Sequence, residues 1–168
     1  MALYLATRTS AISHEAGVVR AAAEAIVAST ERSIALFGLK SRVIERIYEV
    51  AGECEQDGWD GEEGFGVPRS VIERSNSFIR ALPAELPLPE VAPEPDGSLS
   101  FDWIAGRARV FSVSIGVSDR LVYAWIDGTD RGHAVARFDG DTVPVRLLDG
   151  IRELMNERVA ALPVTPTS

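Results

Sequence analysis

The sequence predicts an α+β fold: N-terminal helices, a four-stranded antiparallel meander packed on helices, and a closing C-terminal helix. Three observations carry this expectation. Apolar residues recur at three- and four-residue spacing up to about residue 82 and again after Pro144. Between Leu99 and Phe138 the period switches to two, in short runs separated by glycine turns. Each element then has one apolar face, and the simplest packing lays the helices on one side of the sheet.

Residues 1–12 show no period and are expected to form a loose arm. From Ser13, which can cap, the pattern is helical, with Val18, Val19, Ala22, Ala23, Ile26 and Val27 on one side. Gly38 is expected to break this run. A second helix is expected from about Leu39 to Glu55, with Val43, Ile44, Ile47, Tyr48, Ala51 and Cys54 as its apolar face. The glycine-rich loop 57–66 follows. Pro68 suits the first turn of a third helix, because its missing N–H has no partner there anyway; Val71, Ser75, Phe78, Ile79 and Leu82 share one side of it. Five prolines between Ala81 and Pro95 exclude a helix or a central strand, so an extended connector is expected.

After the Pro95-Asp96-Gly97 turn, Leu99, Phe101, Trp103 and Ala105 alternate with Ser98, Ser100 and Asp102. Phe111, Val113 and Ile115 then alternate with Ser112 and Ser114. Residues 120–126 are apolar on both sides, which predicts a central strand. Residues 132–138 supply a fourth strand beyond Asp127-Gly128, and tight glycine turns imply a meander. Leu147, Leu148, Ile151, Leu154, Met155, Val159 and Leu162 mark the last helix. Gly150 interrupts it, as a close helix contact would require, and Pro163 and Pro166 stop it. The expected organisation is an arm and extra helix over 1–38, one α+β domain over 39–162, and a tail over 163–168.

Composition narrows the chemistry. A chain of 168 residues can bury a core without a disulfide or metal staple. The single Cys54 fits a reducing compartment and a packing role. A net charge of −8 argues against direct nucleic-acid binding, which depends on neutralising phosphates, and suits a partner with a basic surface. Sixteen arginines stand against one lysine, a bias that GC-rich coding explains. No apolar run reaches the roughly 18 residues of a membrane span, and the start lacks a signal-peptide core. The expected location is the cytoplasm.

The series Gly58-Trp59-Asp60-Gly61, Gly66-Val67-Pro68 and Phe78-Ile79-Arg80-Ala81-Leu82-Pro83 resembles a group of small uncharacterised bacterial proteins. That group carries a Gly-Trp-Asp-Gly-Tyr-Gly-Ala-x-Pro turn, a helix ending in Ala-Leu-Pro, and a proline-rich connector. The resemblance continues through Pro89-Glu90-Val91, Pro95-Asp96-Gly97, Phe101-Asp102-Trp103 and Phe111-Ser112-Val113-Ser114-Ile115, over about residues 43–160. Here Glu62-Glu63-Gly64-Phe65 replaces a shorter Tyr-Gly segment, and the N-terminal helix is additional. The group has no established activity, so the resemblance implies architecture and, beyond that, a protein partner.

Each candidate site also has a structural role that its residues can fill. Asp57, Gly58, Trp59, Asp60 and Gly61 read as a structural turn, with the aspartates bonding local backbone, the glycines at positive φ and a buried tryptophan as pin. The carboxylates of Glu53, Glu55, Asp57, Asp60, Glu62 and Glu63 do not follow an EF-hand spacing, and no metal ligands are assigned. His133 with Asp127 and Asp130 has the makings of an acid/base pair, but an exposed histidine on an edge strand accounts for it, and His14 falls in a first helical turn. No nucleophile elbow, Walker lysine or dinucleotide glycine motif is present, so neither catalytic residues nor a cofactor are assigned. Arg107, Arg109 and Arg120 flank hairpin turns, where a small anion site competes with solvated loop ends. Asp102, Ser112 and Ser114 on an open sheet face, with the aromatics Tyr123 and Trp125, are the candidate partner-binding residues.

The expected function is therefore a non-catalytic cytoplasmic protein that binds another protein, as an antitoxin-, immunity- or inhibitor-like component of a toxin–antitoxin or defence system. Two rivals are a metal-dependent hydrolase using Asp57, Asp60 and Glu62, and an acidic nucleic-acid mimic that blocks a DNA-binding protein.

Overall fold

The computed structural model of the protein describes residues 14–156. The expected arm, the Ser13 cap, Val159, Leu162 and the tail lie outside them. The chain divides into two compact units, Met1–Phe37 and Gly38–Ser168. One helix, α1 (His14–Glu53), runs through the boundary, so the expected break at Gly38 does not occur. A lone glycine costs a helix only about 1 kcal/mol against alanine, and no proline stands nearby to stop the hydrogen-bond ladder. In the first unit, taken by itself, the apolar stripe Val18, Val19, Ile26 and Val27 is exposed.

The second unit begins with the end of α1. Ile47, Val50, Ala51 and Cys54 are buried there, and Val43 and Ile44 pack beside them. Tyr48, expected on this face, is instead exposed, and its hydroxyl accepts a bond of 3.0 Å from the Asn76 amide. Val50 completes the i, i+3, i+4, i+7 stripe in its place.

Helix α2 (Arg69–Ala81) follows, with Pro68 at its N-cap rather than inside its first turn. It buries Val71, Ser75, Phe78 and Ile79. The chain's one lysine closes its far end: Lys40 Nζ donates to the Arg80 and Leu82 carbonyls at 2.9 and 2.5 Å. Those carbonyls lie at a helix C-terminus, where they lack intrahelical partners and carry partial negative charge. Burial pulls the Lys40 pKa down, and Glu85 opposes that shift.

Among the described residues the sheet has five strands, in the order β1 (Glu90–Pro93), β2 (Leu99–Gly106), β3 (Arg109–Ile115), β4 (Arg120–Asp127) and β5 (Asp130–Arg137), each antiparallel to its neighbour. The expected count of four strands is corrected by β1, which lies inside the proline-rich connector. Its register places Val91 opposite Phe101 and Pro93 opposite Leu99. An edge strand pairs on one side only, so a proline at its end need not remove a ladder bond. A register shift between Ile104 and Gly106 marks a bulge where β2 ends.

Helix α3 (Val145–Asn156) closes the unit. Helices α2 and α3 pack on β2 and β3. The core lies between, built of Leu99, Phe101, Trp103, Phe111, Val113 and Ile115 from the sheet and of Phe78, Ile79, Leu147 and Ile151 from the helices. Phe78 sits between Phe101 and Phe138, with ring centroids 5.6 and 5.8 Å away. The strand expected to be central, β4, has only β5 beyond it. Its second apolar side, Val122, Ala124 and Ile126, is exposed.

Candidate functional site

Strand alternation separates the sheet into two faces. Tyr123 and Trp125 share the helix-facing side with Phe111 and Val113, because Phe111 pairs with Trp125 and Val113 with Tyr123. Asp102, Ser112 and Ser114 lie on the opposite, outer side. The five candidate binding residues therefore do not form one patch. Tyr123 is buried and stacked on Phe111 at 5.7 Å and 18°, and Trp125 is half-buried beside it at 6.3 Å. The register of the β3–β4 hairpin was the signal that would have separated the two sets.

Three rows cross the outer face in register. Ser100, Ser114, Val122 and Val135 form the first; Asp102, Ser112, Ala124 and His133 the second; Ile104, Val110, Ile126 and Arg131 the third. The polar residues concentrate on β2 and β3, where they bond one another. Ser98 and Ser114 both donate to the Glu94 carboxylate, and Ser100 donates to Asp102 at 3.1 Å. The apolar residues concentrate toward β4 and β5: Val122, Ile126 and Val135 are 48%, 46% and 52% exposed, with Ile104 at 49%. Helices α2 and α3 pack on the inner face, and these outer aliphatics are half-exposed. Sequence reasoning missed them because apolarity on both sides of residues 120–126 suggested burial on both sides.

His133 lies on this face opposite Ala124. Three inter-strand steps, roughly 14 Å, separate it from Asp102 in the same row. Asp127 and Asp130 face each other at the far end of the β4–β5 hairpin, and Asp127 is held by Arg109 at 2.8 Å. Arg109 also donates to the Leu154 carbonyl at 2.8 Å. Arg107 and Arg109 stand at one end of the strands and Arg120 at the other, so the three arginines do not converge.

The tryptophan turn is built from local bonds. Asp60 Oδ1 accepts the N–H groups of Glu62 and Gly64 at 2.9 and 3.1 Å. Asp57 Oδ1 accepts from Gly66 at 2.9 Å. Gly58 and Gly61 adopt φ of 81° and 82°, a region that favours glycine. Trp59 Nε1 donates to the Phe65 carbonyl at 3.0 Å, and its ring is half-buried, not fully buried as expected. The turn also props the next connection, because the Phe65 N–H donates to the Pro95 carbonyl at 2.8 Å. With one oxygen of each aspartate occupied by backbone, the loop's carboxylates are spread along a turn rather than converging. Among the described residues, no group of three or more His, Cys, Asp or Glu side chains is arranged to hold a metal ion.

Cys54 is buried, and burial, then the carboxylates of Glu53 and Asp60, push its thiol pKa up. That is opposite to the depression a nucleophilic thiolate needs. Among the described residues, no helix is long and apolar enough to cross a membrane. Comparison with protein-family models, with curated proteins and with solved structures finds no match to this chain.

Proposed function

We propose that this chain is a non-catalytic binding protein that captures a protein partner on the β4–β5 half of its outer sheet face. The observation that carries this is the group of half-exposed aliphatics Val122, Ile126 and Val135 on the face opposite α2 and α3. Burying such side chains is favourable at about 25 cal/mol per Å² of apolar surface, and contiguous exposed apolar surface marks interaction sites. The adjoining β5 edge offers a second means of contact, since an unpaired strand can accept a partner strand. An inhibitor-, immunity- or antitoxin-like role within the cytoplasm fits a module that recognises rather than transforms.

The reading is tested by affinity purification of the tagged chain from its native host, beside a Val122→Lys/Val135→Glu variant, whose opposite charges pair across the strands. The wild type should retain a stoichiometric protein that the variant loses, with both chains equally folded. Recovery of both as lone monomers, or equal retention of the same protein by both, overturns it.

A further inference from the structure

A cleft of about 570 Å³ lies on the opposite, helix-facing side of the sheet, where α3 ends its cover and β4 and β5 continue. Two glycines create it. At Gly150 a Cβ would stand 2.6 Å from the Phe111 ring, so its absence lets α3 settle onto that ring. At Gly132 a Cβ would stand 2.4 Å from the Trp125 ring, so the indole lies directly over β5. The floor is thus the aromatic series Phe111, Tyr123 and Trp125, with adjacent rings inclined by 18° and 30°.

The walls are acidic. Asp127 and Asp130 come from the β4–β5 hairpin, and Asp149 and Glu153 come from one face of α3; Arg146 is the one cation of the lining. Asp127 is already paired with Arg109, and Asp149 with Arg152 at 2.9 Å. Among the described residues, Asp130 has a long 3.5 Å contact from Trp125 Nε1 and no ion pair. Glu153 makes no ion pair among the described residues. Among the described residues, Asp130 and Glu153 thus stand without an ion pair on separate walls of the aromatic floor.

We propose that this cleft is a binding site for a guanidinium group, as carried by an arginine side chain or a small alkylguanidine. A planar cation can lie against the half-buried Trp125 indole, which attracts it through the ring quadrupole, with the buried Tyr123 ring behind it. Its fork of N–H donors can at the same time reach Asp130 and Glu153. The volume falls within the range of small-ligand sites, roughly 300–1,000 Å³, so the stem and a flanking group enter as well.

The test follows the indole N–H signals of the folded chain by NMR during titration. Trp59 and Trp103 are internal controls, since their N–H groups are bonded to the Phe65 and Pro87 carbonyls. Agmatine represents the free alkylguanidine, N-acetyl-arginine methylamide the polypeptide side chain, and the matching citrulline amide their uncharged isostere. The Trp125 signal should shift with either guanidinium compound and not with the citrulline analogue; the tighter of the two identifies the source. Asp130→Asn and Glu153→Gln should each weaken binding by about threefold or more, and Trp125→Leu by about fivefold. Arg146→Gln should tighten it. The Val122→Lys/Val135→Glu variant, altered on the other face, should bind normally, which keeps this site separable from the proposed partner surface. The proposal is overturned if no Trp125 shift appears in the millimolar range. It is equally overturned if the citrulline analogue shifts Trp125 as strongly, or if Arg146→Gln weakens binding while Glu153→Gln strengthens it, the signature of an anion site.

Discussion

The sheet ends on β1 at one side and on β5 at the other, and the two sides are finished differently. Beside β1 the chain is tied down. Pro93 lies at the end of a four-residue strand, Leu86 and Pro89 are buried in the connector, and the Pro87 carbonyl accepts the Trp103 indole at 2.7 Å. Glu94 gathers the Ser98 and Ser114 hydroxyls, and the tryptophan turn braces Pro95. Beside β5 the strand is eight residues long and free of proline. Its inner positions are Gly132, Ala134 and Ala136, too small to draw a helix down, and its outer Val135 is half-exposed. The first side holds the fold together. The second keeps an aliphatic face and an aromatic cleft accessible, back to back.

That division gives a graded series of expected effects. The largest falls in the core that the two sides share. Phe78→Ala, which empties a fully buried position between Phe101 and Phe138, should cost about 3–5 kcal/mol in urea denaturation. A loss near zero would mean that the core is not centred there. Gly150→Val sits on the boundary between the two sides. Its new side chain meets Phe111, so overpacking of about 1–3 kcal/mol is expected, together with a changed Trp125 environment. An unchanged melting curve would show that α3 does not press on Phe111.

Trp59→Ala should lower stability by about 1–2 kcal/mol, through loss of the bond to Phe65 and of half-buried ring surface. If the variant kept its melting temperature but lost partner capture, the turn would belong to the binding surface instead. Smaller still is the effect of Asp139, whose carboxylate caps the loop before α3. Bonds from the Thr142 and then the Asp141 N–H groups hold its pKa below the ordinary carboxylate value. A depressed folded-state pKa stabilises fully above the unfolded value of about 3.9, and that contribution is lost as pH falls through the lower folded value. The melting-temperature gap between wild type and Asp139→Ala should therefore be present at neutral pH and close in strong acid; a gap that widened in acid would refute the cap. The smallest stability change, within about 0.5 kcal/mol, is expected for Val122→Lys/Val135→Glu on the open side, where the opposite charges face each other across the strands.

The same two sides differ in how far the sequence reveals them. The alternation of Leu99, Phe101 and Trp103 against Ser100 and Asp102 shows the first meander strand, and the glycine turns show the rest. β1 stays hidden because Val91 and Ala92 are flanked by Pro89 and Pro93, and only the presence of β2 makes them a strand. Gly38 looks like a stop because a local cost is visible in sequence while the continuing ladder is not. Gly150 does mark a close helix contact, but its partner Phe111 is a matter of tertiary placement. The open side is the hardest to see. Val122 and Ile126 resemble core residues, since composition distinguishes apolar from polar but not covered from uncovered. The cleft depends on Gly132 and Gly150 acting against rings elsewhere in the chain.

The central claim is that the outer face of β4 and β5 meets a protein partner. It is tested most directly by placing a photo-crosslinking amino acid at Val122 or Val135, with Ser70 on α2 and Glu90 on β1 as exposed controls, and irradiating in the native host. The account predicts one discrete crosslinked protein from positions 122 and 135 and none from 70 and 90. Crosslinks from the control positions with none from positions 122 and 135 would contradict it.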